Sequence, residues 1–322
     1  MPESSPSVLI IRLDAIGDAL ALAPLLAAFR ARGIPTDVVL RPANSGVFSS
    51  RAARRIVTST FDLRSREPSN LAAIRGLGRE LAARRYTHAL VATEDPGGYR
   101  LARASQAPAR IGFSNAWGKP LKTLWSRGFL TQTVYRSAGL DPRGPHECEV
   151  LFGLGSELLG SAVPTRDLAQ LRPLILENEP PPDDRVIFQI TDKFERLGIE
   201  FERVVETVRR LRSSHRLRLV ADAREEMYAD RIARATGLDV ERFSATDSWK
   251  AAIAAARALV APDSGALHVA GMVGTPVVAI FPPSRDYALY VARWSPWAAP
   301  HRIVRADDGW PERAGDALAQ IV

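Results

Sequence analysis

The chain reads as an α/β protein in two halves of similar size, each with a mostly parallel sheet covered on both faces. Three observations predict this. Short apolar runs of strand length alternate with helical patterns. The alternation breaks at a proline-rich stretch near the middle and then starts again. At 322 residues the chain has room for two medium-sized domains.

In the first half the strand candidates are Val8 to Leu13, Thr36 to Leu40, His88 to Ala92 and Arg110 to Phe113. They are short, apolar and separated by helical stretches, the pattern of strands buried on both faces of a parallel sheet. Pro173 to Asp184 contains Pro180-Pro181-Pro182, which continues neither a helix nor a central strand, so a linker is expected there. The expected domains are therefore 1–175 and 176–322. In the second half Val186 to Ile190, Leu217 to Ala221 and Val240 to Phe243 read as strands. Ile199 to Arg212 and Glu225 to Thr236 read as helices. An alanine-rich helix, Trp249 to Arg257, leads into the strand Ala258 to Ala261, and Pro276 to Phe281 is a further strand. Two such domains place a cleft between them, lined by the carboxyl ends of strands, where open α/β sheets bind ligands.

Composition narrows the class. With 46% hydrophobic and 25% charged residues the chain is of the soluble globular type. The single cysteine, Cys148, forms no intrachain disulfide framework and has no Cys/His cluster around it, so neither a stapled secreted fold nor a structural zinc site is expected. Met1 to Ser7 lacks a basic leader region, and Ala19 to Phe29 is too short to span a bilayer. A cytoplasmic location is expected.

The net charge of +7 is unevenly placed. Between Arg100 and Arg143 stand eight basic residues and one acid, Asp141, with Phe113, Trp117, Trp125, Phe129 and Tyr135 interleaved. Such a surface suits anionic headgroups or a phosphorylated glycolipid; a solvated arginine-rich face explains the same residues. Neither a zinc-finger spacing nor a helix-turn-helix pattern is present, so nucleic acid is the weaker option.

Two motifs carry chemistry. Asp263-Ser264-Gly265-Ala266-Leu267-His268-Val269-Ala270 follows a buried strand and opens a helix. The free N–H groups and positive dipole end of that helix suit a phosphate or pyrophosphate, Ser264 or Asp263 can cap it, and Gly265 lets a ligand approach the backbone. An ordinary helix cap accounts for the same residues. The other motif, Ile10-Ile11-Arg12-Leu13-Asp14-Ala15-Ile16-Gly17-Asp18, places Gly17 and Asp18 on a strand-to-helix turn. It lacks the Gly-Lys-Ser/Thr of a P-loop and the later glycines of a dinucleotide fingerprint. A first-turn acid favoured by the helix dipole is the alternative role for Asp18.

Taken in order, Gly17-Asp18, then helix and Pro24, then Asp263 to Ala270 and Gly274-Thr275-Pro276 to Ser284 resemble glycosyltransferase family 9, the bacterial heptosyltransferases of the lipopolysaccharide inner core. Arg110-Ile111-Gly112-Phe113 and His146-Glu147 with the helix Val150 to Leu159 resemble further family segments. The resemblance implies a GT-B fold, two Rossmann-like α/β domains facing a central cleft. It implies an N-terminal domain for the acceptor and a C-terminal domain for the nucleotide-sugar. It also implies inverting transfer without a metal or other cofactor, from a donor such as ADP-heptose. Asp18 then matches the general base; Asp14 is its rival. Asp263, Ser264, Gly265 and His268 match donor-binding positions, and Gly17, Arg110, Lys119, Lys122 and His146 are expected on the acceptor side.

The chain departs from the family pattern at Thr191 to Gly198, where Leu197-Gly198 replaces a Trp-Pro pair. Lys193 or Arg196 supplies the cation for the donor phosphates, or Glu195 falls at that position and repels them. Glu225 or Glu226 supplies the acid after the next strand. Arg302 to Val322 is expected to form a helix returning to the first domain. The partners implied are a nucleotide-sugar, a phosphorylated glycolipid and a transient contact with the inner membrane. A nucleotide-binding GT-B protein without transfer activity and a nucleic-acid-binding α/β protein remain as alternatives.

Overall fold

The computed structural model describes residues 5–59, 61–62, 64–137, 141 and 143–322. Contacts divide the described residues into two compact units, one within Met1–Leu140 and Pro145–Thr165, the other Asp141–Gly144 with Arg166–Val322.

The first unit has strands β1 (Val8–Ile11), β2 (Thr36–Leu40), β3 (Arg55–Thr58), β4 (His88–Val91), β5 (Ala109–Ser114) and β6 (Gln132–Tyr135). Its helices are α1 (Ile16–Leu20), α2 (Ala23–Ala31), α3 (Pro68–Ala82), α4 (Pro96–Ala104), α5 (Pro120–Ser126), α6 (Glu147–Phe152) and α7 (Ser156–Leu159). The strands pair in parallel in the order β3-β2-β1-β4-β5-β6. β1 is wholly buried, as a β-branched strand at the centre of a two-faced sheet must be. The edge strands β3 and β6 give no clean apolar run, because most of their residues face solvent. One charge sits inside this sheet. Asp37 on β2 is fully buried, with Arg54 donating to both its oxygens at 2.8 and 3.0 Å and the Tyr86 hydroxyl donating at 2.6 Å. A buried carboxylate persists only when paired in this way.

The second unit has helices α8 (Leu168–Ile175), α9 (Lys193–Arg196), α10 (Phe201–Ser214), α11 (Glu226–Thr236), α12 (Thr246–Ala255), α13 (Gly265–Val273), α14 (Tyr287–Trp294) and α15 (Trp310–Ala319). Its strands are β7 (Asp183–Ile190), β8 (Leu217–Asp222), β9 (Val240–Phe243), β10 (Ala256–Pro262), β11 (Val277–Phe281) and β12 (His301–Arg305), paired in parallel in the order β12-β11-β10-β7-β8-β9. Both sheets therefore share one winding. The first strand of each is central, two strands are added on one side, and the fourth starts the other side. The order reverses between β1 and β4 in one sheet and between β7 and β10 in the other. A crevice opens at the carboxyl ends of such a strand pair, where ligands bind doubly wound folds.

Two expected boundaries move. Residues 166–175, expected with the first domain, belong to the second unit. α8 packs on α13, Arg172 donates to the Val273 carbonyl, and the Arg166 guanidinium stacks 3.7 Å over the Trp297 ring. Pro173 lies within α8, so the irregular connection is confined to 176–182. Gly274 ends α13 at φ +88°, and a Cβ there would lie 2.6 Å from Leu168 Cδ1, so glycine meets both the turn and the helix contact. The expected helix over Arg302 to Val322 is instead β12 followed by α15. That helix packs on α10 and on the second sheet, and its Trp310, Ala314 and Leu318 join the second core.

Candidate active site

The reversal point of the first sheet is organised by Arg12. This residue leaves β1 and is only 2% exposed. Nη1 donates to the Ala92 carbonyl at the end of β4. Nε donates to the Asp18 carbonyl and Nη2 to Asp18 Oδ1, both at 3.0 Å. Nη2 also donates to Glu147 Oε1 on α6 at 3.3 Å. One cation thus joins β1, β4, α1 and α6. Asp18 is in the first turn of α1, and its Oδ2 accepts the Ala15 N–H at 3.1 Å. The carboxylate is fixed at both oxygens, yet its side chain keeps 27% exposure, enough for a substrate to reach it. Gly17 is buried beside it in α1.

Asp14 lies on the same turn, its Oδ2 3.4 Å from Arg12 Nη1. Burial raises its carboxyl pKa; the Arg12 charge opposes that rise and the Asp18 charge adds to it. Asn44 donates to the Asp14 carbonyl at 2.7 Å and holds the turn. The two rival carboxylates therefore differ. Asp18 is held at both oxygens by Arg12 and the Ala15 N–H, whereas burial favours the neutral form of Asp14.

Glu147 is fully buried and joins Arg12 to Arg136, whose Nη2 donates to its Oε2 at 3.2 Å. Arg136 Nη1 in turn lies 3.8 Å from Glu94, in the loop after β4. Lys122 and Lys119 reach Glu94 at 2.9 and 3.3 Å. Burial pushes Glu94 up, but Lys122, Arg136 and Lys119 outweigh it and hold the carboxyl at about 2. Lys119 and Lys122 are thus brought to the carboxyl edge that carries Asp18.

One expected acceptor residue, Arg110, is not, and His146 serves as a helix cap. Arg110 is at the amino end of β5, away from the carboxyl edge, and its guanidinium is used locally. Nε donates to the Phe129 carbonyl and Nη1 to the Ala107 carbonyl, each at 2.7 Å. His146 is the buried cap of α6, with Nδ1 accepting the Cys148 N–H at 3.1 Å. Its role is to start the helix that delivers Glu147.

The second sheet gathers its residues at the equivalent place. After β7, the Thr191 hydroxyl donates to Glu225 Oε1 at 2.8 Å and the Asp192 N–H donates to Oε2 at 3.0 Å. Glu225, in the turn after β8, thereby shapes the loop. The Lys193 N–H donates to Thr191 Oγ1 at 3.2 Å, and Lys193 Nζ lies 3.8 Å from Asp263 Oδ2 after β10. Asp263 Oδ1 is 3.9 Å from His268 Nε2. Burial pushes His268 down to about 4; Asp263 resists this and Lys193 reinforces it, so the imidazole is neutral near pH 7. Its ring meets Trp294 edge-on at 5.8 Å between centroids.

Ser264 stands at the cap position of α13, but its hydroxyl does not cap the helix. The residue is extended, and the buried Oγ has no hydrogen-bond partner. A buried hydroxyl left unpaired costs about 1–3 kcal/mol, so a polar ligand atom here would be stabilised. The N–H groups of Gly265 and Ala266 belong to the same helix end.

Of the charged residues over Thr191 to Gly198, Lys193 is the one that lies beside Asp263. Arg196, expected with it, is 64% exposed and pairs with Asp192 through Nε at 3.0 Å. Glu195 pairs with Arg231 at 2.8 Å. Sequence reading missed Arg12, Glu147, Arg136, Glu94 and Thr191. Arg12 carried one usable signal, a charge set between Ile11 and Leu13 at the end of an apolar strand.

Residues 216–316, which include Glu225 and the Asp263–His268 stretch, match the profile of Glycosyltransferase family 9 (heptosyltransferase). Over that stretch, about a third of the chain, the sequence is similar to that family. Solved structures agree on the fold over nearly the whole length. The glycosyl transferase family 9 protein from Veillonella parvula DSM 2008 superposes with a TM-score of 0.75 at 15% identity, covering 100% of this chain and 98% of that one. E. coli heptosyltransferase WaaC, solved with ADP, gives 0.72 at 17% identity over 98% and 100%. E. coli ADP-heptose lps heptosyltransferase II gives 0.71 at 18% identity over 98% of each chain. At these identities what is shared is the GT-B fold. No curated protein sequence matches the chain.

Proposed function

We propose that this chain is an inverting, metal-independent transferase. It moves a heptose or related sugar from a nucleotide-sugar, ADP-heptose foremost, to a phosphorylated saccharide of the lipopolysaccharide core or a similar glycan. The observation that carries this reading is the cluster Lys193, Asp263, His268, Ser264 and Glu225 at the reversal point of the second sheet. It combines one ammonium, a helix amino end and an unpartnered hydroxyl, a donor set suited to a diphosphate. The relative solved with ADP points to an adenine nucleotide.

In this reading Asp18 accepts the proton of the acceptor hydroxyl as that oxygen attacks the anomeric carbon. The bond from that carbon to the diphosphate oxygen breaks, and the nucleoside diphosphate leaves with the electron pair. Lys193 and the N–H groups at the start of α13 offset its growing charge, which without them costs about 3 kcal/mol per lost donor by analogy with oxyanion holes. Arg12 keeps Asp18 aimed, and neutral His268 is a hydrogen-bonding group, not a second cation. On the first unit Lys119 and Lys122 are set to meet acceptor phosphates. The basic stretch Arg100 to Arg143 draws the protein to an anionic membrane surface from the cytoplasm. Among the described residues no helix is long and apolar enough to cross a membrane.

Calorimetry with ADP and ADP-heptose tests the donor half. Micromolar binding lost in Lys193→Met supports it; binding of neither compound overturns it. Heptose transfer to a phosphorylated core acceptor tests the rest.

A further inference from the structure

The first unit carries a group of large apolar side chains that its own fold does not cover. Trp117 is 92% exposed, Leu121 84% and Leu124 68%. All three lie in the turn leading into α5 or on α5 itself. Leu121 and Leu124 are one turn apart on that helix and so are neighbours on its surface. The base of the element is well fixed. Trp125 packs edge-on against Tyr99 with centroids 5.4 Å apart, and against Phe129 at 4.6 Å. The exposed residues therefore stand on a half-buried aromatic pair packed against buried Tyr99. An apolar cluster held out in this way marks an interaction surface.

The surroundings say what it meets. Lys119, Lys122 and Arg127 lie among these apolar residues in the chain, where the stretch Arg100 to Arg143 holds eight bases and one acid. Phe129 also walls a groove lined by Leu71, Ile74, Arg75, Arg100 and Arg103. Arg100 Nη1 is buried there with no hydrogen-bond partner. Tryptophan and leucine beside lysine and arginine match a bilayer interface: the indole sits at headgroup depth, the leucines reach the acyl boundary, and the cations meet phosphates.

We propose that Trp117, Leu121 and Leu124 form a wedge that inserts into the interface of an anionic bilayer. The inference deepens the membrane contact of the proposed function but rests on different side chains. Coulombic docking alone disappears in salt, whereas insertion leaves a salt-resistant part.

The test is flotation of the full-length protein with vesicles of phosphatidylglycerol and phosphatidylethanolamine, and with phosphatidylcholine alone, at low and high salt. Tryptophan quenching by brominated lipid is read in parallel. Wild type is expected to float with anionic vesicles, to keep part of that binding at high salt, and to be quenched. Trp117→Ser/Leu121→Ser/Leu124→Ser is expected to lose at least tenfold in partitioning, and Trp117→Ser alone to lose most of the quenching. Both variants should bind ADP as wild type does, which separates loss of the wedge from loss of the fold or of the donor site. Equal partitioning of wild type and triple variant overturns the inference, as does wild-type binding that vanishes entirely in salt. A wild-type dimer in solution that the triple variant abolishes, without vesicle binding, would assign the patch to a second copy of the chain and overturn it equally.

Discussion

Lys193 Nζ stands 3.8 Å from Asp263 Oδ2, and this pair bridges the loop after β7 and the loop after β10. The two loops flank the reversal point of the second sheet, so the contact places a cation where the fold itself prepares an anion site. Lys193→Met is expected to weaken nucleoside-diphosphate binding about 10- to 100-fold, the scale of one charge-assisted hydrogen bond. Arg196→Met, which removes an exposed guanidinium paired with Asp192, is expected to change it less than about threefold. Titration calorimetry of both variants with ADP checks the contrast; equal losses would remove Lys193 from its assigned place.

Glu147 is expected to act through Arg12. With its carboxylate neutralised, Arg12 loses a buried counter-charge and Asp18 loses its fixed aim. Glu147→Gln should lower kcat by about 100-fold, the effect of a small misplacement of a reacting group. KM for the donor should stay close to wild type, and the acid limb of the pH–rate profile should move. Glu147→Asp should recover part of the rate. A parallel rise in KM with an unmoved pH profile would reduce Glu147 to a structural role.

His268 links stability to pH. Unfolded, the imidazole takes up its proton near 6.5; folded, near 4. Between those values the unfolded chain binds the extra proton, so stability falls as pH drops from 6.5 towards 4 and is complete above 6.5. The loss between pH 7 and pH 5 from this group is about 2 kcal/mol. Urea unfolding at the two pH values should show a larger drop for wild type than for His268→Gln. Identical drops would mean that burial does not hold His268 neutral.

Much of this was legible in the sequence, and the limits have physical causes. The central strands were readable because residues such as Val8 to Ile11 and Val277 to Phe281 are buried on both faces. β3, β6 and β12 were not, because edge strands face solvent and mix charges with apolar residues. The positions of Asp18 and Asp263 to His268 at the carboxyl ends of strands were legible because each follows a strand end by a few residues, so local order fixes their place. Glu147 and its partner Arg136 were missed because Arg12, which Glu147 also binds, is remote in the chain, and only the fold joins them. Arg110 and His146 turn out to have local partners. Their residue types suit phosphate binding, but a strand's amino end and a helix cap consume those groups locally.

The most direct test of the account is transfer of sugar from ADP-heptose to a phosphorylated core acceptor by wild type and Asp18→Asn, with ADP affinity measured on both. Asp18 is held by Arg12 and by the Ala15 N–H, so the asparagine fits the same place without serving as a base. The predicted result is wild-type turnover, a fall of about 10²- to 10⁴-fold in Asp18→Asn, and unchanged ADP binding. Full turnover by Asp18→Asn would contradict the assignment of the base, and absence of turnover by wild type with this donor and acceptor would contradict the proposed transfer.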